Sequence, residues 1–110
     1  MLTFIEHPAF TRRIMELHAE ESLRALQEEL AANPDAGDPI RGMAGLRKIR
    51  MALPGRGKRG GARVLYLLFV RADTVYFVQT YDKADIEDLP PDKRRIVAAL
   101  VKEIAKEFEV

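Results

Sequence analysis

The stretch "RVLYLLFVRADTVYFVQTY", Arg63 to Tyr81, decides the fold. It holds two runs rich in β-branched, aromatic and other apolar residues, Arg63 to Arg71 and Thr74 to Tyr81, with only Ala72-Asp73 between them. Two strand-like runs so closely joined form an antiparallel hairpin, because a parallel pair needs a crossover of a dozen or more residues. The first run is apolar at nearly every position, as a central strand covered on one face and packed at its ends would be. Gly45 to Met51 is a further strand immediately before it, so three strands follow one another in the chain. "LTFIEH", Leu2 to His7, is a short first strand. Between them Phe10, Ile14 and Leu17, then Leu23, Leu26 and Leu30, fall at helical spacing, so Pro8 to Ala32 is one broken helix or, as preferred here, two packed as a hairpin. "NPDAGDP", Asn33 to Pro39, ends them. Ile96, Val97, Leu100, Val101, Ile104 and Phe108 mark a C-terminal helix that starts at Pro90-Pro91. This order predicts an α+β fold: a small, mainly antiparallel four-stranded sheet with its helices, two N-terminal and one C-terminal, on one face, as one domain over 1–110.

The 110 residues, 47% of them hydrophobic, suit a single core. No cysteine is present, which removes disulfides and thiolate metal sites and suits a reducing cytosol. The first 20 residues carry Glu6, Arg12, Arg13, Glu16 and Glu20 and leave no apolar run for a signal peptide. Val64 to Val70 is too short to span a bilayer, so a soluble cytoplasmic protein with no membrane partner is expected.

The net charge of +1 hides a strong segregation. From Pro39 to Ala72 there are nine basic residues and no Asp or Glu; the remainder holds nine basic against 17 acidic residues, a formal charge of −8. A positive centre on an acidic frame attracts polyanions through its local potential. "PGRGKRGG", Pro54 to Gly61, shares Gly57-Lys58 with a P-loop, but Arg59 stands where that motif needs Ser or Thr, Ala52 where it needs its first glycine, and a strand follows where it needs a helix. What remains is a glycine-rich hairpin tip carrying Arg56, Lys58 and Arg59, predicted to be flexible and to follow a sugar-phosphate backbone.

On the second strand, alternation sets Lys48 and Arg50 on one face and Arg47, Ile49 and Met51 on the other. Residues two apart rise about 6–7 Å, so Lys48 and Arg50 reach adjacent phosphates or flank a single one. Arg63 opens the partner strand beside Gly61 and Ala62, aimed at an anion or paired with an acid such as Asp82 or Asp85. Converging cations stabilise the extra charge of a phosphorane-like transition state. Arginine does not deprotonate in proteins, so a base has to be a lysine, which can serve if crowding by cations lowers its pKa; Lys48, Lys58 and Lys83 are the candidates. His7 precedes a proline and His18 falls on a helix, so neither is a good candidate. No His and carboxylate set has ligand spacing, and no metal or other cofactor is expected.

"NPDAGDPIRGMAGLRKIRMALPGRGKRGGARVLYLL" followed by "VYFVQTYDKADIEDLPPDKRRIV", about Asn33 to Val97, resembles the RelE superfamily of toxins from bacterial toxin–antitoxin modules, most closely its HigB-type branch. The elements that carry the resemblance are Gly-Leu-Arg-Lys-Ile-Arg, Gly-Arg-Gly-Lys, Gly-Gly-x-Arg-Val and Tyr-Asp-Lys, in this order. It implies the small α+β fold read above and metal-free, ribosome-dependent cleavage of mRNA in the 30S A site by attack of the 2′-hydroxyl. By motif, Arg63 takes the place of the arginine on the scissile phosphate, and Lys48 and Arg50 the basic pair where the family's base lies. Tyr81 and Lys83 match the strand end that carries further catalytic or mRNA-stacking groups; Arg47, Arg56, Lys58 and Arg59 would hold RNA. Ala84 stands where some members have a catalytic arginine, and Met43-Ala44 replaces a Thr-Gly. The resemblance also implies a cognate antitoxin with a helix-turn-helix domain. The superfamily includes the ParE branch, which acts on DNA gyrase without cutting RNA, so a ParE-like toxin and a non-toxic RNA-binding protein are the alternatives.

Overall fold

The computed structural model describes residues 1–82 and 89–108, apart from the side chain of Lys58. The chain runs β1 (Thr3–Glu6), α1 (Pro8–Glu16), α2 (Glu20–Ala32), β2 (Asp38–Pro39), β3 (Arg47–Leu53), β4 (Gly57–Phe69), β5 (Thr74–Asp82) and α3 (Pro91–Phe108). The strands lie in the order β1-β5-β4-β3-β2; β1 is parallel to β5, and the other pairs are antiparallel. Among the described residues the sheet therefore has five strands, one more than predicted. The addition is the two-residue β2, where Asp38 and Pro39 pair with Lys48 and Arg47 inside a segment rich in loop-forming residues.

Two separate helices form, as preferred from the spacing. Pro8 opens α1 with the fixed φ its first position wants, and His7 caps it by accepting the Ala9 N–H on Nδ1 at 3.1 Å. Phe10 and Ile14, four apart, form its buried stripe. His18 lies in the turn between the helices at φ 53°, a left-handed conformation, rather than on a helix as predicted. Leu23, Leu26 and Leu30 bury one face of α2.

The helices do not lie on one face, as predicted, but on two, because α3 has an apolar stripe of its own and the second face of the sheet is apolar as well. Phe10, Ile14, Leu23, Leu26 and Leu30 pack with Ile49, Met51, Val64, Tyr66, Val75 and Phe77 on one side of the sheet. Val97, Val101 and Ile104 of α3 pack with Leu46, Leu65, Leu67, Val78 and Tyr81 on the other. Hence β4, the central strand, is buried on both sides, and its apolar run is continuous because both faces need apolar side chains.

The boundaries also moved. β4 begins at Gly57, six residues before the predicted Arg63, and ends at Phe69; Arg71 lies in the turn. That turn runs from Val70 to Asp73, closed by Asp73 N–H to the Val70 carbonyl at 3.2 Å, with Asp73 at φ 49°. Between β4 and β5 the register slips once: Leu65 faces Gln79 but Tyr66 faces Phe77, so Val78 is an extra, bulged residue. Strict alternation from Val75 and Phe77 would put Tyr81 against α1 and α2. The bulge turns it over to the α3 face.

Candidate functional site

That turnover assembles the site. Arg50 of β3, Arg63 of β4 and Tyr81 of β5 stand directly opposite one another across three strands, and directly opposite residues share a face. Lys48, two residues before Arg50 and opposite Leu65, lies one step along the same face. The structure thus brings together Lys48, Arg50, Arg63 and Tyr81, four of the five predicted catalytic positions. Lys83, the fifth, lies outside the described residues, as do Ala84 and Asp85.

Arg63 stands at the centre of this row. It is 7% exposed, yet its Nη1 has no hydrogen-bond partner among the described residues. A buried guanidinium with an unsatisfied N–H is costly, and an anion placed beside it removes the cost. Its backbone is fixed from the neighbouring strand, where Thr80 donates its hydroxyl to the Arg63 carbonyl at 2.8 Å. Arg50 is exposed and Lys48 half-buried, so the row grades from open on β3 to closed on β5. Tyr81 is buried in the α3 cluster. Stacking on a base would require its ring to leave that cluster, whereas a role through its rim would not.

The glycine-rich tip is docked rather than loose. Pro54 to Arg56 form the turn, with Arg56 N–H on the Leu53 carbonyl at 3.0 Å. The Arg56 guanidinium grips Asp82 at the end of β5 with two bonds, Nη1 to Oδ1 at 3.1 Å and Nη2 to Oδ2 at 2.7 Å. Asp82 thus binds Arg56 with both oxygens, where the sequence offered it as a partner for Arg63. Gly61 has no room for a side chain: a Cβ there would overlap the Met51 carbonyl oxygen and lie 2.7 Å from that of Gly57.

The other predicted RNA contacts divide. Arg59 is exposed. The Lys58 side chain lies outside the described residues. Arg47 turns inward, donating from Nη1 to the Gly37 carbonyl at 2.6 Å and the Asp35 carbonyl at 3.2 Å, and so braces the segment before β2. Sequence reasoning missed three features of the site. The bulge at Val78 has no signal in composition, the Arg56–Asp82 pair joins residues 26 apart, and Asp38 stands opposite Lys48 through β2. It also missed a groove of about 430 Å³ beside Tyr81, lined by Arg13, Gln79, Thr80, Lys93, Ile96 and Val97 among others. The groove opens because β1 pairs β5 only as far as Phe77. Among the described residues no three His, Cys, Asp or Glu side chains gather as metal ligands, and no helix is long and apolar enough to cross a membrane.

No family model matches the chain. Solved structures do. The isolated E. coli RelE toxin superposes with a TM-score of 0.59 at 15% identity, over 91% of this chain and 99% of that one. A mutant of E. coli toxin RelE in the free state gives 0.58 at 19% identity, over 78% and 87% of the two chains. The intact E. coli RelBE toxin–antitoxin complex gives 0.57 at 19% identity, over 74% of this chain and 96% of its counterpart. A two-helix layer, a strand row that carries Arg63 at its centre, and these superpositions together give the chain an α+β, RelE-like fold.

Proposed function

We propose that the chain is a toxin of RelE type: a metal-independent endoribonuclease that cuts mRNA in the ribosomal A site and so stops translation in the cytoplasm. The observation that carries this reading is Arg63, buried, with no partner for its Nη1 among the described residues, between Arg50 and Tyr81 in a cross-strand row on a RelE-like fold. A scissile phosphate beside Arg63 and Arg50 supplies the missing acceptor and gains their stabilisation as its charge grows in the transition state. Lys48, one step along the same face from Arg50, takes the 2′-hydroxyl proton. The 2′-oxygen then bonds to phosphorus, the bond to the 5′-oxygen breaks, and that oxygen takes a proton, leaving a 2′,3′-cyclic phosphate and a 5′-hydroxyl. Tyr81, and Lys83 by its place in the sequence, are the groups nearest in the chain to supply that last proton. The ribosome sets the in-line geometry, which is where most of the rate arises when each group is individually weak.

Such an activity has to be neutralised in the cell. The antitoxin of the solved RelBE complex supports a proteinaceous antitoxin here, and the HigB-like sequence elements favour one with a helix-turn-helix domain. The test is cleavage of mRNA on a programmed ribosome: the wild type cuts a ribonucleotide substrate and leaves intact one with a 2′-deoxy sugar 5′ of the scissile bond. Equal cutting of both would sink the mechanism. Intact mRNA beside trapped gyrase–DNA complexes would move the chain to the ParE-like class, and uninhibited high-level expression without slowed growth would remove the toxin reading.

A further inference from the structure

Among the described residues, the row that holds Arg63 sits near the end of its ladder: Ala62 opposite Asp82 is the last described pair between β4 and β5, and Arg63 opposite Tyr81 the last but one. On the other side, regular pairing stops at Met51 opposite Ala62 and returns only at Leu53 opposite Gly57, with 58–61 outside it. Ladder ends open first, and a site built on one needs a further tie. The Arg56–Asp82 pair lies at this place. It reaches from the turn after β3 to the last residue of β5, across the start of β4, and the base of its arginine lies against Gly60, where a Cβ would come within 3.2 Å of the Arg56 carbonyl oxygen and 3.5 Å of the Arg56 Cβ. The carboxylate is mostly withdrawn from water, at 13% side-chain exposure against 42% for the arginine. A two-bonded, charge-assisted pair of this kind is stronger and more directional than an exposed ion pair.

Asp82 also faces away from Arg63. It stands opposite Ala62, which packs with the α1 and α2 cluster, whereas Arg63 shares the α3 face with Leu65. A carboxylate on the Arg63 face would neutralise the anion site; one on the reverse face ties down the strand end and leaves Arg63 its charge.

We propose that Arg56 and Asp82 are a positioning clamp that holds the Arg63–Tyr81 row from behind, and that Arg56 is therefore not one of the cations that hold the polyanion. The inference rests on the nuclease reading for its kinetic consequence and on geometry alone for its structural one. Both are measured in the full chain carrying Asp82→Asn, Arg56→Gln or the exchanged pair Arg56→Asp with Asp82→Arg. Amide hydrogen exchange at residues 62–64 and 80–82 is expected to speed up in each single variant, with exchange in α2 unchanged, and to return toward wild type in the exchanged pair. Single-turnover cleavage on a programmed ribosome is expected to fall about 10- to 100-fold in the single variants at unchanged ribosome affinity, a cost typical of a slightly misplaced group, and to recover in the exchanged pair. Unchanged exchange at 62–64 and 80–82 in both single variants overturns the clamp. So does a loss confined to ribosome affinity, or an exchanged pair no better than the singles. A wild type that does not cut defeats the nuclease reading, while hydrogen exchange still decides the clamp.

Discussion

The two halves of β4 obey opposite rules. From Val64 to Leu67 every side chain is buried and apolar in body, and from Val64 to Tyr66 cross-strand partners lie on both sides. From Gly57 to Arg63 the strand carries glycines, three cations, an irregular register and a buried guanidinium with an N–H unpaired among the described residues. The first pattern is what stability selects, since dense apolar burial on two faces is the largest favourable contribution a small domain has. The second is costly in every respect, and such costs persist where they serve binding or catalysis. One strand thus joins core and site, and the change falls between Arg63 and Val64.

The largest expected effect tests that boundary directly. Leu65→Ala should lower stability by about 2–5 kcal/mol, because it empties part of a fully packed position between β4 and α3. Arg63→Met, two residues away, keeps the apolar stem and removes the unsatisfied charge; its stability should be no lower than wild type, while cleavage on the ribosome falls about 10²–10³-fold. Thermal melts and single-turnover cleavage check both. A large loss of stability in Arg63→Met would mean that the arginine belongs to the core, and the comparison would fail.

Gly61→Ala comes next. Its Cβ would overlap the Met51 carbonyl, so β3 and β4 must separate there, at a cost of about 1–3 kcal/mol. A urea midpoint equal to that of wild type would show that the glycine is replaceable. Tyr66 provides the matching probe in the apolar half. Its hydroxyl accepts the Gly37 N–H and donates to the Pro34 carbonyl, both at 2.9 Å, so Tyr66→Phe should cost about 1–2 kcal/mol. Burial raises the Tyr66 pKa above the ordinary 10.0, against the opposing Gly37 N–H. Its neutral form therefore contributes stability that is fully present below pH 10 and is lost as the pH rises through the higher folded value. Melts between pH 9 and 11 should fall less steeply in Tyr66→Phe, with the remaining fall from Tyr76, whose pKa burial also raises. Equal slopes would remove Tyr66 as the cause.

The apolar half was legible from sequence because Arg63 to Tyr81 carries its own signal: two strand runs and a link too short for anything but a hairpin. The helices were equally readable from Phe10, Ile14 and the three leucines. The side on which α3 packs was not, because Val97, Val101 and Ile104 suit either face and the sheet offers two. For the site, alternation placed Lys48 and Arg50 correctly together, since β3 is regular between Arg47 and Met51. Tyr81 joins that face through a bulge, and alternation cannot see one. The contacts of the tip were invisible for a similar reason. Glycines signal freedom when counted locally, whereas Gly60 and Gly61 serve close approach to Arg56 and to Met51.

The smallest expected effect separates the cations within the first half of β4. Each side chain that holds a phosphate releases counterions on binding, so its removal lowers the slope of log affinity against log salt by about 0.7 for single-stranded RNA. Arg59 is exposed, with no acid bound to it among the described contacts, and Arg59→Gln should show about that decrement in ribosome binding. Arg56 is already two-bonded to Asp82 and faces it across β4, so Arg56→Gln should leave the slope nearly as it was. The two residues are three apart, carry the same charge and sit on the same glycine-rich tip; net electrostatics would predict equal decrements. Unequal slopes therefore report which cations are committed to the fold and which face the polyanion. Equal slopes would mean that the ion pair opens on binding, and that the whole tip belongs to the charged, functional half of the strand.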